Sequence, residues 1–125
     1  MAKSAKKVEK SNSKSNTVHQ SDTEEEFDYS LNDVALRGWV TTTATERELP
    51  SGDLVAQFRI AITRPEGGVD TIDLESWSAR TRRSALSLKD GEWVEISGAI
   101  RRRFWKSGQN LASRWQVVTS DIKRL

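Results

Sequence analysis

The chain has 125 residues, with 20 Lys and Arg against 18 Asp and Glu and no cysteine. That length holds one compact domain and a tail. Without cysteine there are no disulfides and no thiolate metal sites, and no apolar run approaches the roughly 20 residues needed to span a bilayer.

Residues 1 to 29 carry almost no apolar side chains and are rich in Ser, Lys, Asn and Glu. Such a segment cannot bury enough surface to offset its chain entropy, so it reads as a disordered arm. Its lysines have no apolar stretch behind them, which is not the pattern of a secretory signal. Charge is segregated along it: Lys3, Lys6, Lys7, Lys10 and Lys14 come first, then Asp22, Glu24, Glu25, Glu26 and Asp28. A solubilising segment is the simpler reading. The alternative is an arm whose lysines touch a polyanion while its acidic block folds back on the basic domain.

The domain itself is read as residues 30–125. It holds 15 basic residues, 12 of them Arg, against 12 acidic, a net +3. From Asn32 the pattern alternates with period two. Val34, Leu36, Gly38 and Val40 fall on one face, and Ala35, Arg37, Trp39 and Thr41 on the other, the mark of a half-buried strand. Thr42 to Thr45 extends it, and Leu49-Pro50-Ser51-Gly52 turns the chain. A second strand places Ala56, Phe58, Ile60 and Ile62 inward, with Arg59 outward. After the break at Pro65, Gly67 and Gly68, a third strand turns Ile72, Leu74 and Ser76 in, and Thr71, Asp73, Glu75 and Trp77 out.

Ser78 to Leu88 is the one helical segment expected in the domain. Ser78 serves as N-cap, Arg80, Arg82 and Arg83 point to solvent, and Asp90-Gly91 closes it. The fourth strand is long, Trp93 to Trp105, with Val94, Ile96, Gly98, Ile100 and Phe104 inward. Gly98 in mid-strand predicts a bend or bulge. Lys106-Ser107-Gly108-Gln109 forms a hairpin tip, and Leu111 to Leu125 a last strand interrupted near Ser120-Asp121. Three strands, one helix and two strands match the OB-fold, a five-stranded Greek-key barrel. A sandwich normally needs about seven strands.

The chemistry concentrates in the fourth strand. Alternation puts Arg101, Arg103 and Trp105 on one face. Two guanidinium groups beside an indole can pair with phosphates and stack on bases, and single-stranded nucleic acid is held by both. Arg, with its planar fork, suits phosphate better than Lys. Arg37, Arg59, Arg64 and Lys106 are further candidates for backbone phosphates. Of the five tryptophans, Trp93 and Trp115 are assigned to core or interface packing. Trp77 shares its face with Asp73 and Glu75, whose charges would repel phosphate there.

These segments resemble those of the bacterial single-stranded DNA-binding proteins. The likeness is carried by Asn32-Asp33-Val34-Ala35-Leu36-Arg37-Gly38, by Leu49-Pro50-Ser51-Gly52 running into Val55-Ala56-Gln57-Phe58-Arg59-Ile60-Ala61, by Leu88-Lys89-Asp90-Gly91 running through Trp93-Val94-Glu95-Ile96 to Gly98, and by Gln116-Val117-Val118 followed by Asp121-Ile122. The resemblance covers about three quarters of the sequence, from about Asn32 to the end. It implies an OB domain around which single-stranded DNA wraps, usually in a homotetramer, with a dimer as the alternative. It further implies cytoplasmic, nucleoid-associated work in replication, repair or recombination.

Trp77 and Trp105 fall on the stacking positions that end that family's third and fourth strands. A further family tryptophan would fall near Thr71 and is replaced, and Trp39 is the candidate to compensate. Many members also carry an acidic tip that recruits replication and repair proteins. This sequence stops at Ile122-Lys123-Arg124-Leu125 with no such tip, so the resemblance implies a short, accessory or specialised member.

No catalytic set is legible. The only histidine, His19, lies in the arm, and the domain has neither a Ser–His–Asp set nor a phosphate-binding glycine loop. Asp70, Asp73 and Glu75 could in principle hold a hard cation, but alternating strand carboxylates ordinarily face solvent. The expectation is a non-enzyme with no cofactor, no metal and no membrane association. The competing expectation is an OB-type module that docks on a protein and binds DNA weakly or not at all.

Overall fold

Alternating apolar residues build five strands: β1 (Val34–Glu48), β2 (Leu54–Thr63), β3 (Val69–Ser76), β4 (Trp93–Ser107) and β5 (Asn110–Arg124), with helix α1 (Ala79–Leu86) between β3 and β4. The computed structural model describes residues 26–125. The chain divides after Ser30. The lysine block expected to contact a polyanion, and the acidic residues before Glu26, lie outside the described residues. Of the first unit, the Phe27 and Tyr29 rings stand 6.2 Å apart, and an Asp28 carboxylate oxygen accepts from the Ser30 N–H at 3.0 Å.

The strands close in the order β1-β2-β3-β5-β4, with β4 pairing back onto β1. All pairings are antiparallel except β3 with β5, a parallel seam of two residue pairs, Leu74 with Val117 and Glu75 with Val118. This is the expected OB barrel. Its core is Val40, Phe58, Ile60, Leu74, Val94, Ile96 and Val117, joined by Ala85 of α1 and Leu88 just after it.

Two glycines allow the strands to cross closely enough to close the barrel. A Cβ on Gly38 would lie 2.2 Å from the Ala61 carbonyl oxygen, and one on Gly98 only 2.1 Å from that of Val118. Next to Gly98 the β4–β5 register slips: Ser97 faces Asp121 but Gly98 faces Thr119, so Ser120 is an extra residue. The break expected near Ser120-Asp121 is therefore a bulge within a continuous strand. Two similar slips in β1, between Val40 and Thr42 and between Thr42 and Thr45, cancel each other, so Thr45 and Arg47 return to the outer face that Arg37 and Trp39 occupy.

Ser78 caps α1 by accepting from the Thr81 N–H at 3.1 Å. The helix ends earlier than expected, at Leu86 with Ser87 as C-cap, because Leu88 turns into the core. Gly91, at φ 82°, belongs to the turn that follows. Arg82, expected in solvent, is half-buried. It bonds Glu46 at 3.1 Å and the Trp77 carbonyl.

The largest departure lies in β4. Ile100 and Phe104, assigned to the inner face, are exposed. Past Ile100, β4 pairs only with β5, so the two strands leave the barrel as a hairpin arm with no interior for either face.

Candidate nucleic-acid interface

Leaving the barrel places the end of β4 beside the outer faces of β2 and β3. Between them runs a groove of about 530 Å³, walled by Arg47 of β1, Gln57 and Arg59 of β2, Asp73 and Glu75 of β3, Arg103 and Trp105 of β4, and Arg114 of β5. Four guanidinium groups thus face two carboxylates.

Those carboxylates orient arginines. Asp73 accepts from Arg59 Nε at 2.7 Å and pairs with Arg114 Nη1 at 3.3 Å. Glu75, expected on the outer face, is only 3 % exposed. It accepts from Gln57 Nε2 at 3.1 Å, Arg103 Nη1 at 3.1 Å and the Trp77 indole N–H at 3.2 Å. A buried carboxylate is stable only with such donors. Here the donors include the indole and a guanidinium at the groove's rim, so one side chain sets the direction of both. The repulsion expected from Asp73 and Glu75 is largely offset, because both are occupied by cations.

Trp77 and Trp105 both reach solvent, at 37 % and 41 % exposure. Arg101 shares the Arg103 and Trp105 face of the arm, and no carboxylate among the described residues pairs with it. Arg47 is likewise unpaired among them.

The other candidates lie elsewhere. Arg37 bonds Glu95 at 2.7 Å on the β1–β4 side. Beside it, Trp39 packs against Trp93 in a tilted pair with centroids 5.1 Å apart. Trp93 and Trp115 are both exposed rather than in the core. Trp39 opposes Ala61, which opposes Thr71. The Trp39 indole therefore stands in the same cross-sheet row as Thr71, two strands or about 10 Å away. Arg64 sits at the β2–β3 turn, paired with Asp70 at 3.3 Å and Glu66 at 3.6 Å. Lys106 follows the opposite face of the arm, with Arg102 and Phe104.

The groove thus gathers Arg59, Arg103 and Trp105, with Trp77 tied to its rim, and leaves Arg37, Trp39, Arg64 and Lys106 outside. Sequence reasoning missed Arg47 and Arg114. Arg114 was accessible: a two-residue tip at Gly108-Gln109 puts it opposite Arg103. Arg47 was missed because the first strand was expected to extend only to Thr45, whereas β1 runs to Glu48. Among the described residues no group of His, Asp and Glu could hold a metal ion, and no helix is long and apolar enough to cross a membrane.

Residues 31–125 match the model of the Single-strand binding protein family. Among solved structures, one described as "Plasmodium falciparum SSB complex with ssDNA" superposes with a TM-score of 0.64 over 80 % of this chain and 99 % of that one, at 22 % identity. No curated protein matches this chain significantly.

Proposed function

Because the chain belongs to the Single-strand binding protein family, we propose that it binds single-stranded DNA with little sequence preference along the groove between β1, β2, β3 and the β4–β5 arm. The observation that carries this reading is an exposed indole, Trp105, in a groove with four arginines and two already paired carboxylates. Guanidiniums attract the phosphates, and any base can stack on an indole because every base has a π-face. Duplex DNA hides its bases and gains only the electrostatic part.

Arg59, Arg103, Arg47 and Arg114 meet the backbone. Trp105 and Trp77 receive bases, Arg101 extends the basic track along the arm, and Trp39 with Arg37 continues the path on the β1–β4 side. The similar fold of a solved complex described as containing single-stranded DNA supports this reading. So does the family match. Replication, repair and recombination are the transactions such binding serves, in the cytoplasm and as a homo-oligomer, with a tetramer favoured by the resemblance. The chemistry proposed is binding without catalysis.

Tryptophan fluorescence tests the proposal. Titration with oligo-dT quenches the emission at low salt, and affinity falls as salt rises. Trp105→Ala weakens binding by ~1–3 kcal/mol. Absence of quenching at low salt refutes the proposal and leaves the protein-docking module as the reading.

A further inference from the structure

The opposite face of the hairpin arm carries a second constellation. Cross-strand pairing sets Arg102 opposite Trp115 and Phe104 opposite Ser113. The Arg102 guanidinium carbon lies 5.4 Å from the Phe104 ring centroid and 5.2 Å from that of Trp115. Ser113 Oγ accepts from its Nε at 3.1 Å and from an Nη at 2.9 Å. The guanidinium is thus fixed against two rings with its remaining N–H groups unclaimed among the described residues. The rings are open to water, Phe104 at 56 % and Trp115 at 60 % exposure. Large apolar side chains exposed side by side mark a surface that something covers.

Charge identifies the occupant. From Ile96 to Ser120 the chain has five basic residues, Arg101, Arg102, Arg103, Lys106 and Arg114, and not one Asp or Glu. An identical arm from a second copy would bring the same five charges against it. An acidic strand with exposed planar rings fits both the cations and the aromatics.

We infer that this face is a second stacking surface for single-stranded DNA. Bases lie on Trp115 and Phe104, phosphates meet Arg102 and Lys106, and a strand leaving the groove crosses the arm to reach it. The inference rests on the proposed function and extends it to a surface the groove does not include.

The experiment compares two oligo-dT lengths on the full chain, about 8 and about 30 nucleotides, chosen around the roughly 4–16 nucleotides that one OB fold occupies. Trp105→Ala weakens binding of both. Trp115→Ala weakens only the longer one, by roughly 5- to 150-fold, and Trp115→Phe restores most of it. If Trp115→Ala binds both lengths like the wild type while Trp105→Ala does not, the second surface is overturned and the groove stands. If neither variant matters, both readings fall. If Trp115→Ala changes the sedimentation of the protein but not its affinity per protomer, the face joins copies of the chain and the inference is wrong. Photo-crosslinking of the unmodified protein to iododeoxyuridine-substituted oligonucleotide decides independently of how well the variant folds. Adducts on Trp115 with the longer oligonucleotide support the inference, and their absence there overturns it.

Discussion

Glu75 shows how one buried side chain organises a binding surface. Its carboxylate receives an amide, a guanidinium and an indole N–H at once, and hydrogen bonds to a charged acceptor are the stronger kind. Glu75→Gln keeps the shape, but its amide N–H groups face donors. Urea unfolding should show a loss of ~1.5–3 kcal/mol. The variant also removes a negative charge from the groove. Were electrostatics alone in control, DNA would bind it more tightly. The expected outcome is weaker binding, read by fluorescence titration, because Trp77 and Arg103 lose the group that aims them. Tighter binding would show that Glu75 does not position them.

Among the elements, β4 does most to create the site, and Gly98 makes its course possible. Gly98→Ala would drive a methyl into the Val118 carbonyl. Overpacking of this kind costs ~1–3 kcal/mol, so a lowered midpoint in thermal unfolding is expected. The same strand starts at a latch. Glu92 accepts from the Lys89 N–H at 3.0 Å and binds Arg124, which in turn donates to the Ser87 carbonyl at 2.7 Å. The Lys89 backbone hydrogen bond, then Arg124, hold the Glu92 carboxyl below the usual carboxylate range. A carboxylate stabilised by folding contributes fully above its unfolded pKa, and the contribution fades as pH falls through the folded one. Glu92→Gln should therefore be less stable than the parent near pH 7. The difference should shrink as the solution is acidified below the usual carboxylate range, as measured by denaturant titrations across pH.

The elements themselves were largely legible. Period-two alternation placed Val40, Phe58, Ile60, Leu74 and Val94 in the core, Ser78 announced the helix start, and Gly98 announced the bulge. What failed shares one cause. Alternation assigns two faces but cannot tell whether a face has an interior to turn toward. Ile100 and Phe104 continue the apolar phase of β4 after the barrel has ended. Glu75 continues the polar phase of β3 but meets donors from β2 and from β4, which lies beyond β5. Arg47 was lost because the alternation was followed only to Thr45, although β1 continues to Glu48. Of the site, Arg103 and Trp105 were readable because they share one strand. The carboxylates that orient the arginines depend on partners far apart in the chain.

For the whole molecule, binding chemistry and closure of the barrel converge on one line. The β3–β5 seam has only two residue pairs, far fewer than β4–β5, which makes it the joint with the least to lose by parting. Glu75 is one of its members, facing Val118, and so the residue that holds Trp77 and Arg103 also sits where the cylinder is weakest. A nucleotide chain bridging Arg59 and Trp105 would act as a strap across that joint. Deuterium uptake at the amides of Val117 and Val118 should slow when oligo-dT is bound, while the rate at the Ser51-Gly52 turn stays the same. The protein would then be tightest while loaded, and breathing of the empty barrel would begin where its cargo lies.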